Sequence, residues 1–148
     1  MSNIKLITVE ENGRTISPTL PIDIHNYLID IDGTICEDIP NEEPERMASA
    51  LASAGAAETI NKWFDEGHII TFFTARTEKH REVTENWLTK NGFRYHSLIV
   101  GKPRGGNYHW VDNAPMQVMN LNEDFWKSNF SKNNIIGFKT PADSIVPN

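Results

Sequence analysis

His25-Asn26-Tyr27-Leu28-Ile29-Asp30-Ile31-Asp32-Gly33-Thr34 joins an apolar run to two carboxylates two residues apart, and then to a glycine. Residues i and i+2 of a strand project to one side, so only a turn just after them can give Asp30 and Asp32 different roles. Gly33 supplies that turn, because glycine tolerates positive φ. With the bend there, the Asp30 carboxylate points at a ligand and the Asp32 carbonyl approaches the same region, which leaves the Asp32 side chain to move protons. An ordinary strand ending in an Asp-Gly turn accounts for Asp32-Gly33 but not for the whole D-x-D-G-T pentad. The pentad points to phosphoryl transfer through an aspartyl-phosphate. A carboxylate attacking phosphorus needs a hard cation, and Mg2+ takes one or two carboxylates together with phosphate and water.

Outward from the pentad, strands and helices alternate. His25 to Ile31 reads as a buried strand, and Glu42 to Gly67 carries helical patterning, interrupted at Gly55, with Ile60, Trp63 and Phe64 on one face. His68 to Thr74 is the next strand. Thr77 to Asn91 is an amphipathic helix with Val83, Trp87 and Leu88 inward, closed by Asn91-Gly92. Further strands are predicted at Tyr95 to Val100, Tyr108 to Asp112 and Asn134 to Phe138, with a helical segment from Leu121 to Phe130. Ahead of them Ile4 to Val9 alternates, and Asn12-Gly13 signals a return through Arg14 to Ser17, so residues 1–24 are expected to hold a hairpin. This order implies an α/β fold with a Rossmann-like, mostly parallel sheet flanked by helices. A single domain over residues 1–148 is expected, with its core at 25–138.

In such a sheet the ligand crevice lies beyond the carboxyl ends of the strands. Asp30, then Thr74 and Arg76, then Lys102, then Asp112 follow successive predicted strands. Thr74 offers a hydrogen bond to a phosphate oxygen and Lys102 a compact positive charge. Arg76 and Arg104 are candidate substrate contacts because a guanidinium holds phosphate or carboxylate through two bonds; Arg76 is the better one. Its alternative is an ion pair with Glu78 or another acid. The link from Lys102 to Asp112 is too short for a crossover helix. It has to cross three strand spacings, roughly 14 Å, and about eight extended residues reach at most roughly 28 Å. Gly105-Gly106 is therefore expected in an extended crossing loop.

Composition bounds the rest. The 148 residues, 39% of them hydrophobic, suffice for one sizeable core, and the formal charge of −6 argues against a general nucleic-acid binder while leaving small phosphorylated metabolites open. The single cysteine, Cys36, excludes an intrachain disulfide framework and reads as an apolar filler near the site. With no apolar leader and no stretch approaching a membrane span, the expected setting is cytoplasmic. Glu37, Asp38, Glu42, Glu43 and Glu45 form an acidic flap that disfavours a polyanionic substrate. His80, His96 and His109 show no metal-ligand spacing.

The chain resembles the haloacid dehalogenase superfamily over most of residues 25–138. LIDIDGT (28–34) is similar to its first motif, ITFFTAR (70–76) to its second, GKP (101–103) to its third and WVDNAP (110–115) to its fourth. The resemblance implies Asp30 as nucleophile, Asp32 as general acid/base and Thr74 and Lys102 as phosphate contacts. It also implies Mg2+ held by Asp30, the Asp32 carbonyl and Asp112. An acid two positions after the nucleophile is typical of the phosphatases, so hydrolysis of a small phosphorylated substrate is expected. The gaps between motifs leave no room for a cap domain, which in this family goes with larger substrates or with a neighbouring subunit over the site, hence homo-oligomerisation. Asn113 stands where a second acid is common; it either binds the metal through its amide oxygen or shapes the turn before Pro115. Two other readings stay open: a phospho-ligand-binding module with weak or no turnover, and a nucleic-acid end phosphatase, which requires a basic groove.

Overall fold

The computed structural model describes residues 9–17, 19–120, 125–127 and 135–139. Strands β1 (Val9–Glu11) and β2 (Arg14–Ile16) pair antiparallel with Val9 opposite Ile16. Asn12 and Gly13, at φ 54° and 73°, make the two-residue turn whose twist matches paired strands. The expected hairpin is therefore present in residues 9–16, and its predicted start at Ile4 to Thr8 lies outside the described residues.

Three parallel strands form the sheet that carries the site: β3 (Asn26–Ile29), β4 (Ile69–Phe73) and β5 (Ser97–Ile99), in the order β3-β4-β5. Tyr27 pairs with Ile70 and Phe72 with Leu98. The central strand β4 is apolar except at Thr71, because it lies between two strands with Ile69, Ile70 and Phe72 buried. At the edge, β3 exposes Leu28 and buries Ile29. Helices α1 (Ala56–Asp65) and α2 (Arg81–Lys90) make the crossovers. Helix α1 buries Ile60 and Trp63, and α2 buries Thr84, Trp87 and Leu88, with the Trp87 indole donating to the Ala50 carbonyl at 2.8 Å.

Gly55, at φ 85°, opens α1 where a Cβ would lie 2.2 Å from the Trp126 carbonyl oxygen. Trp126 is buried and donates its indole N–H to the Thr34 carbonyl at 2.7 Å, which ties the turn at Phe125–Lys127 to the pentad loop. Ile31, Ile35, Cys36 and Ile39, all fully buried, anchor the chain after β3 beneath the site.

The second half departs from the sequence reading. Tyr108 to Asp112 joins no strand among the described residues. Gly105 and Gly106 take φ of 81° and 70°, so the link bends where an extended crossing was expected, and Tyr108, Trp110 and Val111 stay exposed. The next strand is instead β6 (Met116–Met119), paired antiparallel with β7 (Ile135–Lys139) in a separate two-stranded sheet. Of the helix predicted at Leu121 to Phe130, Phe125–Lys127 form a 3-10 turn and the remainder lies outside the described residues. The α/β class, the parallel sheet flanked by helices and the short, capless gaps between β3, β4 and β5 stand as expected.

Candidate active site

Each residue of the candidate site is placed by a strand end. After β3 the chain bends at Gly33, φ 80°, where Gly33 N–H donates to the Cys36 carbonyl at 2.9 Å and Thr34 and Ile35 N–H both donate to the Ile31 carbonyl. The loop after β4 is stitched to the loop after β5: Lys102 N–H donates to the Thr74 carbonyl at 3.0 Å, and Gly101 N–H to the Arg76 carbonyl at 2.7 Å. These main-chain bonds bring three loops, far apart in sequence, to one end of the sheet.

The two carboxylates of the pentad then meet different surroundings. Asp30 keeps 37% of its side chain exposed; its Oδ1 lies 3.0 Å from Lys102 Nζ and its Oδ2 accepts from the Thr34 hydroxyl at 3.2 Å. The Lys102 side chain is 11% exposed, and its ammonium sits 5.4 Å from the centre of the Phe73 ring and 5.1 Å from that of Tyr108, a cation over two π faces. Asp32 is only 7% exposed. Arg76 Nη2 donates to its Oδ1 at 2.8 Å and Nε to its Oδ2 at 3.0 Å, the two-bond fork of a guanidinium on a carboxylate. Arg76 itself is fully buried, with Nη1 donating to the Thr84 hydroxyl at 3.0 Å.

Arg76 is therefore corrected from a substrate contact to a buried partner of Asp32. The alternative to substrate contact was an ion pair with Glu78 or another acid; the acid is Asp32, while Glu78 pairs with Arg81. Thr74 is fully buried; its hydroxyl accepts the Arg76 N–H at 3.1 Å and so helps to shape the second loop. Arg104 pairs with Asp38 of the acidic flap at 3.4 Å. Cys36 is buried as expected, and burial, followed by the charge of Asp32, pushes its thiol up to about 12, which keeps it protonated and unreactive at neutral pH.

Asp112 and Asn113 are not gathered with these groups. Asp112 is exposed, accepting the Ala114 N–H at 3.0 Å and the Trp110 indole N–H at 3.3 Å, and those donors hold its carboxyl below the usual range. Trp110 is half exposed. Among the described residues no three His, Cys, Asp or Glu side chains converge as a metal site. As placed, Asp30 and Asp112, the carboxylates expected to hold Mg2+ together with the Asp32 carbonyl and Asn113, do not form a side-chain cluster that fits the ion among the described residues. Asp30 faces a lysine, and Asp112 takes its hydrogen bonds within its own loop. No helix among the described residues is long and apolar enough to cross a membrane.

The signal that sequence reasoning missed is Thr84, buried one turn into α2, whose hydroxyl donates to the His80 carbonyl at 2.7 Å while accepting from Arg76. A threonine on the inward face of an amphipathic helix marks a polar partner nearby, though it does not say which.

Comparison with known proteins gives the fold a family. No curated protein matches the sequence. Among solved structures, an MCSG target from Vibrio cholerae superposes with a TM-score of 0.52 at 18% identity, covering 74% of this chain and 92% of that one, a likeness of fold. A chain of the Pnkp1/Rnl/Hen1 complex matches with a TM-score of 0.48 at 18% identity over 76% of this chain and 42% of its own length. The family model for the LNS2 domain of PITM 1-3 matches residues 27–113, more than half of the chain, from the first motif into the fourth. That match corrects the resemblance to a short capless phosphatase-like member of the haloacid dehalogenase superfamily: the family is LNS2, which itself has a haloacid-dehalogenase-like phosphatase fold. The chain belongs to the LNS2 domain family.

Proposed function

We propose that this chain hydrolyses small phosphomonoesters through a covalent phosphate on Asp30. The observation that carries the reading is the division between two neighbouring carboxylates, Asp30 partly exposed beside Lys102 and Asp32 nearly buried against Arg76. Two acids two residues apart in different surroundings suit two different chemical jobs. An Asp30 carboxylate oxygen attacks phosphorus, and the bond to the leaving oxygen breaks as that oxygen takes a proton from Asp32. Water then attacks the phosphorus and passes its proton to Asp32, the bond to Asp30 breaks, and inorganic phosphate leaves. Lys102 and the Thr34 hydroxyl, which hold Asp30 in the free protein, turn to the phosphoryl oxygens as charge builds there.

Mg2+ dependence is general among phosphatases of this fold, and here Asp112 takes its hydrogen bonds from Trp110 and Ala114 while Asp30 pairs with Lys102. The test is turnover of an aryl phosphate with Mg2+ and with EDTA, comparing the intact chain with Asp30→Asn and Asp32→Asn. Asp30→Asn is expected to lower kcat by roughly a thousandfold or more, since it removes the nucleophile itself. Equal rates in all three proteins would end the catalytic reading. One observation favours a second reading, a phospho-ligand-binding module without turnover: Asp30 is already paired with Lys102, while Asp112 of the fourth motif is held by Trp110 and Ala114 of its own loop. Saturable binding of inorganic phosphate by a chain that releases none from aryl phosphates would establish it.

A further inference from the structure

We infer that Arg76 and Thr84 are positioning residues for Asp32, a relay that fixes the plane of its carboxylate so that one oxygen lone pair faces the leaving group. The inference rests on the reading of Asp32 as the proton carrier given above. Arg76 is fully buried, so it does not touch a substrate; its three hydrogen-bonding nitrogens are spent on Asp32, through Nε and Nη2, and on Thr84, through Nη1. Thr84 is fully buried too, and its hydroxyl hydrogen goes to the His80 carbonyl at 2.7 Å, which leaves its oxygen to accept from Arg76. The first turn of α2 thus sets the guanidinium, and the guanidinium sets the carboxylate.

The backbone adds a second restraint. Arg76 N–H donates to the Thr74 hydroxyl at 3.1 Å, and its carbonyl accepts from Gly101 at 2.7 Å, so both ends of the residue are held while the side chain crosses to Asp32. Asp32 Oδ1 accepts from Arg76 Nη2 and from the Cys36 thiol, whereas Oδ2 accepts from Arg76 Nε and keeps a second lone pair, and it is that lone pair which carries the proton in transit. A guanidinium fork also excludes rotation of the carboxylate, which a single ammonium group does not. Side chains held this way keep a reacting group within the small range of orientations that proton transfer needs.

The readout is how turnover depends on the leaving group. Phenyl phosphate needs its leaving oxygen protonated, whereas dinitrophenyl phosphate releases a stable anion and needs little help from an acid. With the full chain, Arg76→Ala is expected to raise the ratio of kcat for dinitrophenyl phosphate to kcat for phenyl phosphate about tenfold or more, in the same direction as Asp32→Asn. Arg76→Lys keeps the charge but not the fork and is expected to move the ratio the same way. Thr84→Val, the milder change, is expected to raise it a few-fold and keeps the test open if Arg76→Ala does not fold. A ratio unchanged in a folded Arg76 variant, or in Thr84→Val, overturns the positioning assignment, because a loss of general integrity slows both substrates alike. A wild-type chain that turns over neither ester fails differently: it overturns the hydrolase reading itself, and the assignment with it.

Discussion

Asp30 and Asp32 are held by residues 72 and 44 positions away in the chain, Lys102 and Arg76, whereas Asp112 is held by Trp110 and Ala114, each two positions away. The difference separates a part of the molecule whose geometry is set by the sheet from one whose geometry is set by a local loop. Long-range partners at strand ends move only if the core moves. Local partners travel with their loop, so the Asp112 carboxylate keeps both its hydrogen bonds wherever residues 110–114 go. The first region is also buried, with Arg76 and Thr74 fully out of solvent, and the second is exposed from Pro103 through Pro115.

The largest effect expected on stability comes from breaking the buried pair. Arg76→Ala leaves the Asp32 carboxylate with 7% exposure and no counter-charge, a change that costs roughly 3–5 kcal/mol in buried pairs of this kind. Urea unfolding of Arg76→Ala should show the midpoint fall accordingly, and adding Asp32→Asn should recover part of it by removing the stranded charge. If Arg76→Ala melts like the wild type, the strand-end region is not the rigid half of the comparison.

A smaller loss is expected where the fold grips the pentad loop from behind. Gly55→Ala places a Cβ against the Trp126 carbonyl and asks a residue with a side chain to hold φ 85°; strain of this kind costs about 1–3 kcal/mol. Because the Trp126 indole donates to the Thr34 carbonyl, the same substitution should shift tryptophan fluorescence toward that of exposed indole. Unchanged emission together with unchanged stability would show that Trp126 does not anchor the loop beside Asp30.

How much of this was legible follows the same division. The pentad could be read because strand period, turn and chemistry lie within five residues, and β4, α2 and β5 because burial imposes their patterns locally. The role of Arg76 was hidden, since a guanidinium after a strand end faces a substrate or a carboxylate with equal chemical sense. Only the packing of α2, which places Thr84 on its far side, decides between them. Tyr108 to Asp112 has the aromatic and β-branched residues of a strand, yet the left-handed bends at Gly105 and Gly106 turn the chain before it can pair. The link was long enough to cross the sheet; length did not fix its direction.

A pH effect at the opposite end of the sheet is expected to be smaller again. Burial, and then the neighbouring His25, hold His68 below the ordinary 6.5, and burial also lowers His96. The folded chain therefore takes up these protons less readily than the unfolded chain, and stability should rise with pH up to about 6.5 and fall as acid is added below it. The His25 N–H donates to His68 Nδ1 at 3.0 Å, a bond that a protonated ring cannot accept. Comparing urea midpoints at pH 5 and pH 7 in wild type and His68→Asn tests this; a midpoint that rises toward pH 5 reverses the sign and sinks the assignment.

Asp112→Asn is expected to have the smallest effect on stability, with no measurable change in melting temperature. The side chain is exposed, and an asparagine amide oxygen can still accept the Ala114 N–H. What the substitution removes is charge, which an aspartate carries fully at neutral pH and which the Ala114 and Trp110 donors favour further. The variant thus separates charge from fold. Turnover of an aryl phosphate that drops in Asp112→Asn while melting stays level would mean that the loop brings its carboxylate to the Asp30 end during the reaction, and the contrast between the two regions would become one between a fixed half and a travelling half. A fall in melting temperature comparable with that of Arg76→Ala would erase the contrast, because it would require Asp112 to be tied into the core by contacts that reach beyond Trp110 and Ala114.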